Sequence, residues 1–88
     1  MSRASRPEVR NPVLALPAAR RLGEWIDAGA QRTLARLLEE IAKDAGSRAR
    51  EAWARHKAPM ACYWKMVSVY ARHIARAIRA IDVSREGL

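Results

Sequence analysis

The chain is predicted to be all-α: a short amino-terminal helix plus two long antiparallel helices, forming a small three-helix bundle based on a hairpin. Three observations predict this. Apolar or small residues recur at steps of three and four from residue 34 to residue 81, the period of a helix face. Opposite charges stand four apart at Arg36–Glu40, Glu39–Lys43, Asp44–Arg48 and Glu51–Arg55, where a helix brings side chains together. Nowhere does the sequence alternate with period two as a strand would, and it carries no internal repeat or low-complexity block.

Taken in order, residues 1–12 read as a flexible basic arm, with Arg3, Arg6 and Arg10 beside Pro7 and Pro12 and one acid, Glu8. Val13, Leu14 and Leu16 are expected to pin the next stretch onto the core. Pro17 suits the first turn of a helix, where its missing N–H costs nothing. Gly29 suits the left-handed position past a helix end, which places the first helix near 17–28 with Leu22, Trp25 and Ile26 on one side. The second helix starts near Ala30, with Leu34, Leu38, Ile41, Ala45, Ala49, Ala52 and His56 as its stripe. The charge pairs favour continuation through Gly46, although a glycine costs about 1 kcal/mol in a helix interior and a break there stays open. Pro59 ends this helix by disfavouring helical geometry at Ala58 and opens the next. From Met60, the residues Tyr63, Trp64, Val67, Ala71, Ile74, Ile78 and Ile81 form a stripe so broad that this helix should be the most buried element. The single domain is thus 13–81, and 82–88 form a short polar tail.

Eighty-eight residues suffice for one modest core. Phe is absent, so Trp25, Trp53, Trp64, Tyr63 and Tyr70 are expected to supply the bulk of the packing. The net charge is +8 and the pI about 11.1, which favours an anionic partner. Residues 1–21 carry +4, 22–45 carry −2 and 46–88 carry +6, so the excess lies in the arm and the second half. Arginine outnumbers lysine 14 to 3; guanidinium suits bidentate phosphate contacts, but codon usage in a GC-rich genome is the plainer account, so the bias adds little. The lone Cys62 cannot form an internal disulfide, which points to a reducing compartment. No apolar run approaches the ~20 residues needed to span a bilayer, and "MSRASRPEVRNP" has no apolar signal region. A cytoplasmic protein with no membrane partner is expected.

Catalytic and metal patterns are missing. Two histidines and one cysteine, without CxxC or HExxH spacing, are too few for a common zinc site. Cys62 and His73 are eleven residues apart, roughly 16 Å along a helix, and nothing orients His56 towards Cys62. A packed cysteine, a rim histidine, no metal, no cofactor and no enzymatic activity are the expectation. Tyr63, Trp64 and Tyr70 have the geometry to stack bases, but at helical spacing on an apolar side they read as core, with Trp64 the exception.

Lys65, Arg72, Arg76 and Arg79 fall within ~60° of one another on the third helix. With Arg50, Arg55 and Lys57 near the hairpin turn they make a candidate surface for a phosphate backbone. The competing reading is internal pairing: a hairpin folded about Ala58 brings Arg72 level with Asp44 and Arg76 level with Glu40. The function expected is a small basic non-enzymatic binding protein engaging nucleic acid or a nucleoprotein. The alternatives are an inhibitor or adaptor docking the apolar rim, including Trp53 and Trp64, onto a host protein complex, and a structural homodimer.

Two resemblances add context. "EEIAKDAGSRAREAWARH", Glu39 to His56, resembles part of the bacterial helix-turn-helix pattern through Ile41, Ala42, Ala45 and Gly46. It departs at Ser47, where an apolar residue belongs, and its later core positions fall on Ala52 and Arg55. That resemblance implies a turn at Ala45–Gly46, with Ser47, Arg48 and Arg50 facing the major groove. "WARHKAPMACYWKMVSVYARHIARAIRA", Trp53 to Ala80, looks like a segment of small uncharacterised proteins encoded by prophages and other mobile elements. This second likeness implies action by binding, as a DNA-binding regulator or as an inhibitor of a host defence machine such as a CRISPR effector.

Overall fold

A computed structural model describes residues 11–86, and the arm's Arg3, Arg6 and Arg10 lie outside that range. The chain begins with a 3-10 turn at Pro12–Ala15, followed by α1 (Pro17–Trp25), α2 (Ala28–Ala54) and α3 (Ala58–Glu86). No strand occurs among the described residues. The two long helices, 27 and 29 residues, pack against each other along most of their length. The nine-residue α1 does not run alongside them as a full third member; it docks at their open end.

Local chemistry sets the boundaries. Asn11 caps the 3-10 turn by accepting the Val13 N–H (3.2 Å) and ties it to α3 by donating to His73 O (2.6 Å). Pro17 opens α1 as its sequence position implies, but that helix stops at Trp25. Gly29 is not its terminator. Asp27 Oδ1 accepts the Ala30 N–H at 2.8 Å, so Asp27 is the N-cap of α2 and Gly29 lies inside that helix. The last carbonyls of α1 are met by a buried side chain, Gln31, whose Nε2 donates to Leu22 O and Ile26 O. Helix α2 then runs unbroken through Ala45 and Gly46, so the stretch 39–56 belongs to one helix up to Ala54 and the turn of the helix-turn-helix likeness is not formed. Its end is a Schellman motif: Lys57 N–H donates to Ala52 O (2.9 Å) and His56 N–H to Trp53 O (3.0 Å). His56 takes the left-handed residue's role with φ 59°. Lys57 O then accepts the Ala61 N–H, and α3 begins at once.

The core corrects the expected packing. It is not aromatic. Ala35, Ala42, Ala45 and Ala52 of α2 face Ala61, Ala71, Ala75 and Ile78 of α3, all buried. Small side chains let the two backbones approach, and Ser68 of α3 uses the proximity to donate to Ala42 O of α2 at 2.7 Å. The seam on α3 is therefore 61, 64, 68, 71, 75 and 78, rotated from the stripe that the large residues suggest. Tyr63 and Tyr70 are 56% and 55% exposed, while Trp25, Trp53 and Ile41 also face outwards and Trp64 is half-buried. Cys62 is exposed, not packed. Near the open end Leu22, Leu34 and Leu38 pack on Ala35, Ala75 and Ile78, so here the aliphatic residues do join the core. Val13 and Leu14 are half-buried, whereas Leu16 stays exposed.

Two stability effects follow. A left-handed residue with a Cβ carries a steric cost that glycine avoids, so His56→Gly should raise unfolding free energy by about 0.5–1 kcal/mol, measurable by urea melts. Ala75 is almost fully buried against Ala35 and Ile78, and Ala75→Leu should overpack that cluster, costing about 1–3 kcal/mol. That corresponds to a fall of roughly 4–8 °C in Tm per kcal/mol in a domain of this size.

Candidate functional site

Close approach of the two helices leaves a shallow groove along one face of the hairpin, with a volume of about 780 Å³. Its floor is small: Ala42, Gly46, Ala49, Ala58, Ala61 and Ser68. A Cβ built on Gly46 would meet Ser68 Oγ at 3.4 Å, an ordinary contact, so the helices do not need glycine there; its effect is to keep the floor low. Around the floor stand Lys43 and Arg50 from α2 and Lys65 and Arg72 from α3, with Trp53, Cys62 and Val69 completing the walls. No carboxylate lines it. Trp53 is 69% exposed, so its ring is open to a ligand.

Helical geometry explains the arrangement. On α2, Lys43, Gly46, Arg50 and Trp53 recur at three and four, and on α3 so do Cys62, Lys65, Val69, Arg72 and Arg76. These two rows lie on the same side of the alanine seam. The acids of α2 at Glu40, Asp44 and Glu51 point away from it, about 60–120° further round the helix than Lys43 and Arg50. The groove therefore holds uncompensated positive charge over an apolar floor.

The predicted residues divide among three places. Arg50, Lys65 and Arg72 line the groove together with Trp53. Arg76 is exposed one turn beyond Arg72 on the same row. Arg79 is instead clasped to Glu39 of α2: its Nη2 and Nε both donate to the carboxylate, the second at 3.4 Å. Arg55 and Lys57 border a smaller hollow of about 200 Å³ on the other face, beside Glu51, Met60 and Trp64. There Arg55 pairs with Glu51 at 3.0 Å, and Arg48 lies over the Trp64 ring at 5.5 Å from its centroid. Trp53 and Trp64 thus belong to opposite faces. Neither Arg72–Asp44 nor Arg76–Glu40 closes as an ion pair among the described residues.

Sequence reasoning missed Lys43 as a groove residue because its i,i+4 spacing to Glu39 marked it as neutralised; Glu39 turns to Arg79 instead. Hydrogen bonding from Arg79 holds the Glu39 carboxyl below the usual carboxylate range; desolvation opposes it, and the Arg79 charge, the smallest of the three effects, acts in the same direction as the hydrogen bond. No group of three or more His, Cys, Asp or Glu residues able to hold a metal occurs among the described residues. Nor is any described helix long and apolar enough to cross a membrane.

Compared with protein-family models, curated proteins and solved structures, the chain matches none of them.

The clasp gives a titration signature. Because the folded-state pKa of Glu39 is depressed, its contribution to stability is present above the ordinary carboxylate pKa and is lost as pH falls through the lowered value. Carboxyl-detected NMR should place the Glu39 midpoint below the ordinary glutamate value, and in Arg79→Gln it should rise back towards that value.

Proposed function

We propose that this chain is a non-enzymatic binding protein whose basic groove takes a nucleic-acid strand. The observation that carries the reading is the convergence of Lys43, Arg50, Lys65 and Arg72 on one apolar-floored groove that no carboxylate lines. Four cations fixed by two packed helices attract a polyanion and hold successive phosphates. Trp53, bare at the edge of the same groove, offers a face on which a base stacks. A single strand satisfies both features at once, since its bases are free to turn inwards while its phosphates meet the rims. The contacts to phosphate set position and affinity and carry little sequence information. Arg76 extends the positive row, and Arg55 and Lys57 contribute to the general field without touching the strand.

A second reading rests on the groove's floor. Its small apolar side chains also suit the apolar side of an acidic amphipathic helix, which would make this chain an adaptor or inhibitor of a protein or nucleoprotein complex, as the likeness to mobile-element proteins implies.

Fluorescence titrations with generic single-stranded and duplex DNA and RNA at two salt concentrations test the first reading. Affinity should fall with salt with a log–log slope of about −3, the value for four neutralised phosphates on a single strand. Lys65→Glu and Arg72→Glu should each weaken binding at least tenfold, Trp53→Ala should remove the Trp quenching that depends on stacking, and Lys57→Glu should have a much smaller effect. Binding that is absent or insensitive to salt rejects this reading. Capture of a protein partner that survives nuclease treatment and is lost in Lys65→Glu would favour the second.

A further inference from the structure

Helix α3 carries a second heptad seam beside the one that meets α2. Met60, Tyr63, Val67, Tyr70, Ile74, Ala77 and Ile81 follow steps of 3, 4, 3, 4, 3 and 4, the spacing of a helix packed along a supercoiled partner. At its carboxy-terminal end this seam is occupied. Ala77 is buried although it points away from α2, and the 3-10 turn and α1 are the elements that pack there, tied down by Asn11 to His73 O and by Leu22 against Ile78. Towards the hairpin turn the seam continues bare: Met60, Tyr63, Tyr70 and Ile74 are exposed large residues, and Val67 is half-buried among them. Leu37 and Ile41 of α2, also exposed, flank it on the same face.

We infer that this open half of the seam is the contact between two copies of the chain, stacked as an antiparallel four-helix assembly about a two-fold axis near Val67. Three features select a second copy as the occupant. The seam is continuous with a packing surface the chain already uses internally. It is uncharged and reads alike in both directions about Val67, with Met60 seven residues before and Ile74 seven residues after, so an isologous contact matches large apolar residues to large apolar residues. With +8 on each chain, approach through the cationic groove is repelled, whereas the seam itself carries no charge and Arg48, the cation on its α2 flank, is held over Trp64. Its size is also adequate: Met60 to Ile74 spans about 21 Å of helix, and with side chains and the α2 flank the patch covers roughly 600 Å², near the ~800 Å² per partner of a standard interface. Both cationic grooves then face outwards on opposite sides of the assembly, and the contact stands independently of what those grooves bind.

Sedimentation equilibrium of the full chain measures this directly. The expected mass is twice the 9.9 kDa of one chain at micromolar concentrations, with the dimer unchanged or tightened as salt rises from about 0.1 M to about 0.5 M and screens the net charge. Salt acts in the opposite sense on groove binding, so the two proposals fail separately. Tyr63 and Tyr70 are more than half exposed in the single chain, so Tyr63→Glu and Tyr70→Glu should keep its circular dichroism while weakening association at least tenfold and returning the mass to that of one chain. Tyr70→Phe should remain dimeric. A wild-type chain that stays at single-chain mass overturns the inference. So does a dimer that persists in both glutamate variants, or one that dissociates as salt is raised.

Discussion

Everything in this molecule depends on how near α2 and α3 come to each other. Alanine faces alanine along the seam, and the buried hydroxyl of Ser68 reaches the backbone carbonyl of Ala42 on the opposite helix. A larger residue at any of these positions would push the backbones apart and leave both hydrogen-bonding groups without each other. Dispersion between small, closely packed groups thus replaces the bulky interdigitation of a typical helical core. Apart from Trp64 and Ile78, the large residues of α3 are excluded from that seam, and their exclusion generates two contrasting surfaces. One face becomes a cation-rimmed groove with a smooth floor. The other becomes an aromatic and aliphatic face.

The division of charge follows from the same constraint. With the seam fixed, each helix has one flank on either side of it. Lys43, Arg50, Lys65 and Arg72 occupy one pair of flanks, while Met60, Tyr63, Val67, Ile74, Leu37 and Ile41 occupy the other. The acids of α2 remain on its outer side, apart from Glu39, whose position near the groove face is answered by Arg79 from across the hairpin. The groove's positive field therefore survives folding, although the chain contains nine carboxylates. Compensation is local, at the far end, and spares the middle.

Much of the architecture could be read from periodicity and punctuation. The two long helices, the proline-opened starts at Pro17 and Pro59, and the passage of α2 through Gly46 all follow from local rules. The seam could not be read in the same way. On α3 the stripe of small residues and the stripe of large ones are offset by one position, at 61, 68, 75 and at 60, 67, 74, and hydropathy weights the large residues. Only the tertiary pairing reveals that the small stripe was the buried one. The same cause misplaced Tyr63, Tyr70 and Cys62. Asp27 and Gly29 were a different case, because a glycine near a helix end and an aspartate two residues earlier support two boundaries, and the Asp27 bond to Ala30 N–H decides between them. Of the site, Arg50, Lys65, Arg72 and Trp53 were legible, whereas Lys43 was hidden by a neighbour four residues away that found another partner.

The tight connection at Arg55–Lys57 bears on how the chain reaches this form. Its Schellman closure reverses direction within three residues, so the first interhelical contacts join positions only a few residues apart and each later layer adds a slightly longer loop. Loop-closure entropy is then met in small instalments, which favours rapid zippering outwards from the bend. The far end closes last and carries the longest loops. There the 3-10 turn and α1, held by Asn11 and Leu22, act as a latch on a hinge that has already shut.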